Sequence, residues 1–290
     1  MIPTPPRWRR ARQIRRHLAD HLVQILAGAV LVMLAVPVVY TAVFSLNAYN
    51  RSNLVWNPQG SPTLAHWANP CGPAGICDAL GTSLRIGLIS TIMATVLGTM
   101  MALALVRSRV RWRGLWDVLL LLPMATPDVV LGAGLLTVFV QGLSTFGIRL
   151  GDVSIITAHV MLALSFVVVA VRARLEALDP RLVEAAADLY AGPWATMRHV
   201  TLPLAIPGIA GAALLAFAIS MDDVVLATFV GGDAMTFPRY VYVTALRGIP
   251  AEANVIGVSL ALAALLLAGL FRAAGRWRAR RPLPSIRADR

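Results

Sequence analysis

Three carboxylates, Asp128, Asp222 and Asp223, stand well inside apolar stretches of this chain, away from the ends of the runs, where Asp117 falls. Asp128 follows two prolines in "LPMATPDVVLG", and Asp222 and Asp223 sit side by side in "SMDDVVLATFVGG". A carboxyl held at membrane depth is costly and faces protein or water rather than lipid, so each acid is a candidate for lining a pathway taken by cations. Local readings stand beside this one. Asp128 follows Pro127 and could cap a helix that restarts there. Asp222 and Asp223 could be solvated at an interface or paired with Arg239 or Arg247. Adjacent helical residues point about 100° apart, so at most one of the pair looks straight into a central cavity. Acids expected on the outer side (Asp78, Asp152, Asp222, Asp223, Asp233, Glu252) slightly outnumber the arginines there, a hint of a cationic solute. Two membrane aspartates sharing a proton would make a protease. Against that, Asp128 and the later pair sit at different expected depths, and no Gly-x-Gly-Asp sequence accompanies them. His159 is alone in its apolar run and reads as a hydrogen-bonder between packed helices. Cys71 and Cys77, in "CGPAGIC", form either a small disulfide loop or two free thiols; with only His66 nearby they fall short of a zinc site.

The elements that hold these residues follow from composition. The chain is 58% hydrophobic and 14% charged, with a mean hydropathy of +0.71, which places it in a membrane. Apolar runs recur at Leu22 to Phe44, Ile86 to Val106, Leu115 to Val140, Ile155 to Val171, Leu204 to Val230 and Val255 to Phe271. At about 1.5 Å per residue each crosses or nearly crosses about 30 Å of hydrocarbon. The fold is therefore all-α, with six transmembrane helices, since a backbone in lipid must satisfy its own hydrogen bonds. Pro123 and Pro127 break the third run, which is expected to face the bundle interior. Pro207 and small residues at the start of the fifth permit close helix packing.

The chain has no lysine, and its 26 basic side chains are all arginine. Arg7, Arg9, Arg10, Arg12, Arg15 and Arg16 precede the first run; Arg107, Arg109, Arg111 and Arg113 follow the second; Arg172, Arg174, Arg181 and Arg198 flank the segment before the fifth; the rest of the majority lies from Arg272 to Arg290. Only Arg51, Arg85, Arg149, Arg239 and Arg247 fall on the opposite side. The positive-inside bias puts both termini in the cytoplasm, with Trp112, Trp116 and Trp277 at the interface. The organisation read from this is a basic tail over 1–21, a membrane domain over 22–271 and a basic tail over 272–290. The first run exceeds a signal-peptide core of about 7–15 residues and reads as an uncleaved span. A net charge of +12 divided among short tails and loops fits anionic lipid and topology, not nucleic acid.

One cytoplasmic segment, within 172–203, is polar and helix-forming: "VEAAADLYAGPWATMRHVTLPL". Asp179 is a good N-cap and Pro180 a good first helical residue; Gly192 is expected to end that helix. Pro193 then opens a second short helix that "TLP" terminates. Leu182, Ala186 and Leu189 share one face, and Glu184 and Asp188 another. So much order in a connector points to a protein partner. The stretch resembles the EAA loop of permease subunits of binding-protein-dependent ABC importers: EAA, a glycine four positions after the last Ala, a hydrophobic residue, one free position and Leu-Pro. Glu184, Ala185 and Ala186 match, as do Val200, Leu202 and Pro203; the glycine position holds Tyr190, with Gly192 two residues on. Together with "SMDDVVLATFVGG" and "TPDVVLGAGLL", the chain is most similar to the C-type permeases of the spermidine/putrescine branch.

The resemblance implies the type I ABC importer permease fold in a bacterial inner membrane. It implies an EAA loop (Glu184, Ala185, Ala186, Asp188, Leu189, Tyr190, Gly192, Leu202, Pro203) seated in a groove of an ATPase subunit dimer. A second homologous permease and a periplasmic solute-binding protein complete the assembly, with a polyamine as solute. A P-loop requires a lysine, which this chain lacks, so ATP and Mg are expected on the partner ATPase and no cofactor on this chain. Another solute carried by the same machinery, or an ion-gradient-driven secondary transporter, is the alternative; the latter predicts matched broken helices in two halves, which Pro123/Pro127 and Pro203/Pro207 do not convincingly supply.

Overall fold

A computed structural model describes residues 7–48, 55–107, 113–245 and 248–279, and among them every regular element is helical. Of the residues bearing on orientation, Arg51, Arg109, Arg111, Trp112, Arg247 and the arginines from Arg280 onward lie outside the described residues, as do the side chains of Arg7 to Arg16, Arg113, Arg272, Arg276, Trp277 and Arg278. In chain order the helices are α1 (Arg7–Phe44), α2 (Ala65–Ala68), α3 (Ile76–Arg107), α4 (Arg113–Ala125), α5 (Asp128–Thr137), α6 (Asp152–Glu176), α7 (Arg181–Asp188), α8 (Pro193–Thr196), α9 (Leu202–Asp222), α10 (Val225–Val230), α11 (Phe237–Ala245) and α12 (Ala251–Ala279).

Five stretches are long and apolar enough to cross a membrane: His21–Phe44, Ile76–Arg107, Asp152–Glu176, Pro193–Asp222 and Ala251–Leu270. A sixth exists if Gly114–Ala125 and Asp128–Leu143, bent by 103° at their junction, count as one broken span. The bend has a local cause. Pro127 has no N–H to donate and adopts an extended ψ of 136°, and α5 restarts from its carbonyl, which accepts from Val130 and Leu131.

The chain divides into two compact units. One comprises residues 74–246 and the other residues 1–73 with 247–290. In the first, α3, α6 and α9 pack together over small side chains: Ala94 and Ala102 from α3, Ala163 from α6, and Ala205, Ala212 and Ala216 from α9. Glycines allow two tight approaches: a Cβ at Gly98 of α3 would fall 2.6 Å from Cγ1 of Val167, and one at Gly208 of α9 would fall 2.4 Å from Cγ of Arg174. Backbones this near gain dispersion contacts, the main source of helix association where lipid is as apolar as the protein. Farther along, Ile155 and Leu162 of α6 join Phe139 and the buried Leu226 and Val230 of α10, while Gly132 of α5 lies under the Phe229 ring. The broken third span faces the interior of this unit only in part, where Leu131, Gly132 and Leu135 of α5 pack toward α10. Leu119, Leu121 and Leu122 of α4, and Asp128, Val129 and Val130 of α5, are exposed; among the described residues α4 meets α6 along one edge, through Asp117 and the buried Leu120.

In the other unit α1 packs along α12, and the segment between α1 and α3 is tied down by polar contacts. Asn47 accepts from the Asn57 N–H and donates to the Val55 carbonyl, Trp67 donates to Ser45, and His66 Nδ1 lies 2.8 Å from Glu252 Oε1.

Candidate functional site

The elbow between α6 and α9 is built from strong local signals. α6 runs to Glu176, and after a short link Asp179 Oδ1 accepts the Arg181 N–H at 3.0 Å while Pro180, already at helical angles, is the N-cap that leads into α7. Ala186 is the buried residue of α7; Leu182, Glu184, Ala185, Asp188 and Leu189 are exposed. Gly192 does not end this helix, contrary to the sequence expectation. The end is a Schellman turn two residues earlier: Tyr190 N–H donates to Ala187 O at 2.9 Å, Ala191 N–H donates to Ala186 O at 3.0 Å, and Tyr190 takes the left-handed conformation with φ 57°. For a residue with a Cβ this conformation costs about 1–2 kcal/mol. The bend therefore survives with tyrosine where the EAA pattern has glycine. Gly192 instead is the extended N-cap of α8, with φ −65° and ψ 164°, angles any residue can adopt.

A second expectation is also corrected. "TLP" does not terminate the helix opened by Pro193; helical structure continues from Pro193 to Asp222. The prolines are absorbed by a single π turn over Met197–Thr201, which precedes Leu202 and Pro203 at the first turn of α9. The ring of a helical proline meets the carbonyl four residues back, here that of His199, and the wider π turn makes room. Leu202 and Pro203 are thus part of a span, not of the elbow's tip. The tip itself exposes apolar side chains: Leu189 is 82% exposed, Tyr190 98% and Trp194 75%. Behind it lies an apolar cavity of about 330 Å³ lined by Leu103, Val106, Leu178, Leu182, Val200 and Leu204.

At the far end of the same helix the two adjacent acids part company. α9 stops at Asp222, because Asp223 turns extended, with ψ 121°. Its carboxylate accepts N–H groups from Leu226 at 3.1 Å and Ala227 at 2.8 Å, which starts α10. Asp223 Oδ2 is also 3.1 Å from His159 Nε2, while His159 Nδ1 lies 2.7 Å from Ser220 Oγ, itself 3.2 Å from Ser90 Oγ. With Asp223 ionised, this assigns the imidazole proton to Nε2 and makes Ser220 the donor to Nδ1. Of the two arginines weighed as partners for Asp223, Arg239 donates instead to the carbonyls of Gly232 and Ala234, and Arg247 lies outside the described residues. His159 is 2% exposed and Ser220 6%, leaving no access for a substrate carbonyl, so the Ser, His and Asp form a tie among α3, α6, α9 and α10. Asp222 is exposed and forms no ion pair or side-chain hydrogen bond among the described residues. Asp128 opens α5, exposed and without a side-chain cap.

Sequence reasoning missed Ser90 and Ser220, hydroxyls that nothing in the sequence sets apart from Thr91, Thr95, Thr99 and Thr228 of the same apolar runs, and a cluster in which Arg172 donates to both Asp117 of α4 and Glu176. Glu176 is its i,i+4 neighbour on α6, a spacing visible in the sequence. Cys71 and Cys77 are disulfide-bonded.

Residues 94–282 match the family described as binding-protein-dependent transport system inner membrane component. The spermidine/putrescine transport system permease protein PotC of Escherichia coli is 32% identical over 240 residues, covering 82% of this chain and 88% of that protein. The putrescine transport system permease protein PotI of Escherichia coli is 38% identical over 148 residues, half of each chain. In fold, the chain is similar to a bacterial ABC transporter involved in import of the acidic polysaccharide alginate, with a TM-score of 0.68, 17% identity, and coverage of 93% of this chain and 100% of that one. A helical chain whose spans are joined through an EAA elbow, and which matches that family over most of its length, is a membrane subunit of a transporter and belongs to the binding-protein-dependent transport system inner membrane components.

Proposed function

We propose that this chain forms half of the translocation pathway of an ATP-driven polyamine importer and receives its motive force from a separate ATPase at the elbow. The observation that carries the reading is the unbroken helical run from Pro193 to Asp222, with the exposed elbow at one end and the exposed carboxylate of Asp222 at the other. A push on the elbow is delivered along a rigid rod to the region of Asp222. When two ATPase subunits close on ATP, their grooves carry the elbows of this chain and of a second permease together; the spans tilt and the cavity opens outward, and hydrolysis reverses the motion. The bias comes from the difference in ATP affinity between the two states. Both termini and the elbow lie in the cytoplasm, and a periplasmic binding protein delivers the solute at the opposite face. Spermidine or putrescine as the solute is supported by the identity to PotC and by the exposed carboxylate of Asp222.

The test is uptake by the reconstituted complex in vesicles. Asp222→Asn is expected to lower ATP-dependent putrescine and spermidine uptake about ten-fold or more, as loss of a charge-assisted contact implies, with the ATPase still bound. A loss of the same size for a neutral solute carried by the same complex would remove the polyamine assignment and leave the importer reading with another solute.

A further inference from the structure

We infer that Tyr190 is the anchor by which the elbow holds its ATPase partner, its ring filling an apolar recess edged by basic side chains. The inference rests on the reading of the elbow as the ATPase contact and goes beyond it by naming the side chain and the chemistry of the surface that receives it. The first observation is the backbone. Tyr190 is the sole residue other than glycine with a positive φ among the described residues, and its Schellman turn would form more readily with glycine there. The second is that the side chain gives nothing back to the fold: it is 98% exposed, and among the described residues its hydroxyl forms no hydrogen bond. A strained conformation kept for a side chain without internal contacts points to a use outside the chain.

The surroundings describe that use. Leu189 and Trp194 flank Tyr190 with exposures of 82% and 75%, an aromatic and aliphatic group of the composition that dominates binding energy at protein interfaces. The charge nearby is negative. Asp188 occupies the last turn of α7, where the helix dipole already disfavours an acid and no basic residue offsets it, and Glu184 is one turn back on the same face. A partner placing arginine or lysine against Asp188, at the negative end of the helix dipole, satisfies both, and the tyrosine ring offers the same cations its face.

The test compares full complexes carrying Tyr190→Gly, Tyr190→Ala and Tyr190→Phe. Glycine relieves the backbone, so this variant folds at least as well as the parent and any loss is a loss of contact. Expected is at least about a ten-fold fall in ATPase retained on purification, and in ATP-dependent uptake, for glycine and alanine, with phenylalanine close to the parent. Full retention and uptake with Tyr190→Gly overturns the inference while the parent complex still holds its ATPase, leaving the importer reading in place. A parent chain that retains no ATPase overturns both. If Tyr190→Gly changes only the association of this chain with copies of itself, the anchor serves self-association and the inference fails.

Discussion

Replacing Asp223 with alanine removes at once the acceptor for two α10 N–H groups and the partner of a buried imidazole N–H. A lost N-cap and a stranded donor together cost about 2–4 kcal/mol, so Asp223→Ala is expected to lower the unfolding midpoint in detergent markedly. Asp222→Ala, on an exposed residue, is expected to leave it within about 0.5 kcal/mol. Equal effects would mean that the network does not hold the end of α9. The sequence marks this pair as a site but does not divide it, because the division depends on where the helix stops. Read as one continuous helix through Val230, both acids remain candidates for the pathway. Once α9 ends at Asp222, one acid becomes a cap and the other is left outward. His159 is legible as a hydrogen-bonder between helices, but its partners Ser220 and Ser90 come from runs whose relative register no hydropathy pattern contains.

Among the helices, the contact at Gly98 carries the sharpest consequence. Gly98→Val places new methyl groups where a Cβ alone already falls 2.6 Å from Val167, on the rigid interior of α6, and overpacking of this kind costs about 1–3 kcal/mol. Gly134→Ala, with open space around its Cβ position, is the control and is expected to be neutral or slightly stabilising. Thermal unfolding of the purified chain separates the two; a melting point unchanged by Gly98→Val would contradict the packing described for α3 and α6. Hydropathy located the spans, and the prolines located the 103° break, since a missing N–H acts locally. It did not reveal the π turn over Met197–Thr201. A proline after a short polar helix reads as a stop, whereas one extra residue in the preceding turn lets the helix pass through it. The same local logic misplaced the end of α7: glycine is the usual left-handed cap, so Gly192 drew the assignment that belongs to Tyr190.

For the whole molecule the consequence is mechanical. Had the helix ended at "TLP", a force applied to the elbow would dissipate at that joint; continuity from Pro193 to Asp222 instead makes α8, the second half of the elbow, one rod with the span. Family membership was legible from Glu184, Ala185, Ala186, Leu202 and Pro203, and the branch from "SMDDVVLATFVGG" and "TPDVVLGAGLL"; the fold by itself does not carry the solute, since it is shared with a transporter named for an acidic polysaccharide. The most direct test of the coupling role is Glu184→Lys in the complete complex, reconstituted in vesicles, with uptake and ATP hydrolysis measured together. A reversed charge on the exposed face of α7 is expected to reduce ATP-dependent uptake, and its coupling to hydrolysis, about ten-fold or more while the amount of chain inserted in the membrane is unchanged. Uptake at the parent rate from the Glu184→Lys complex would contradict it.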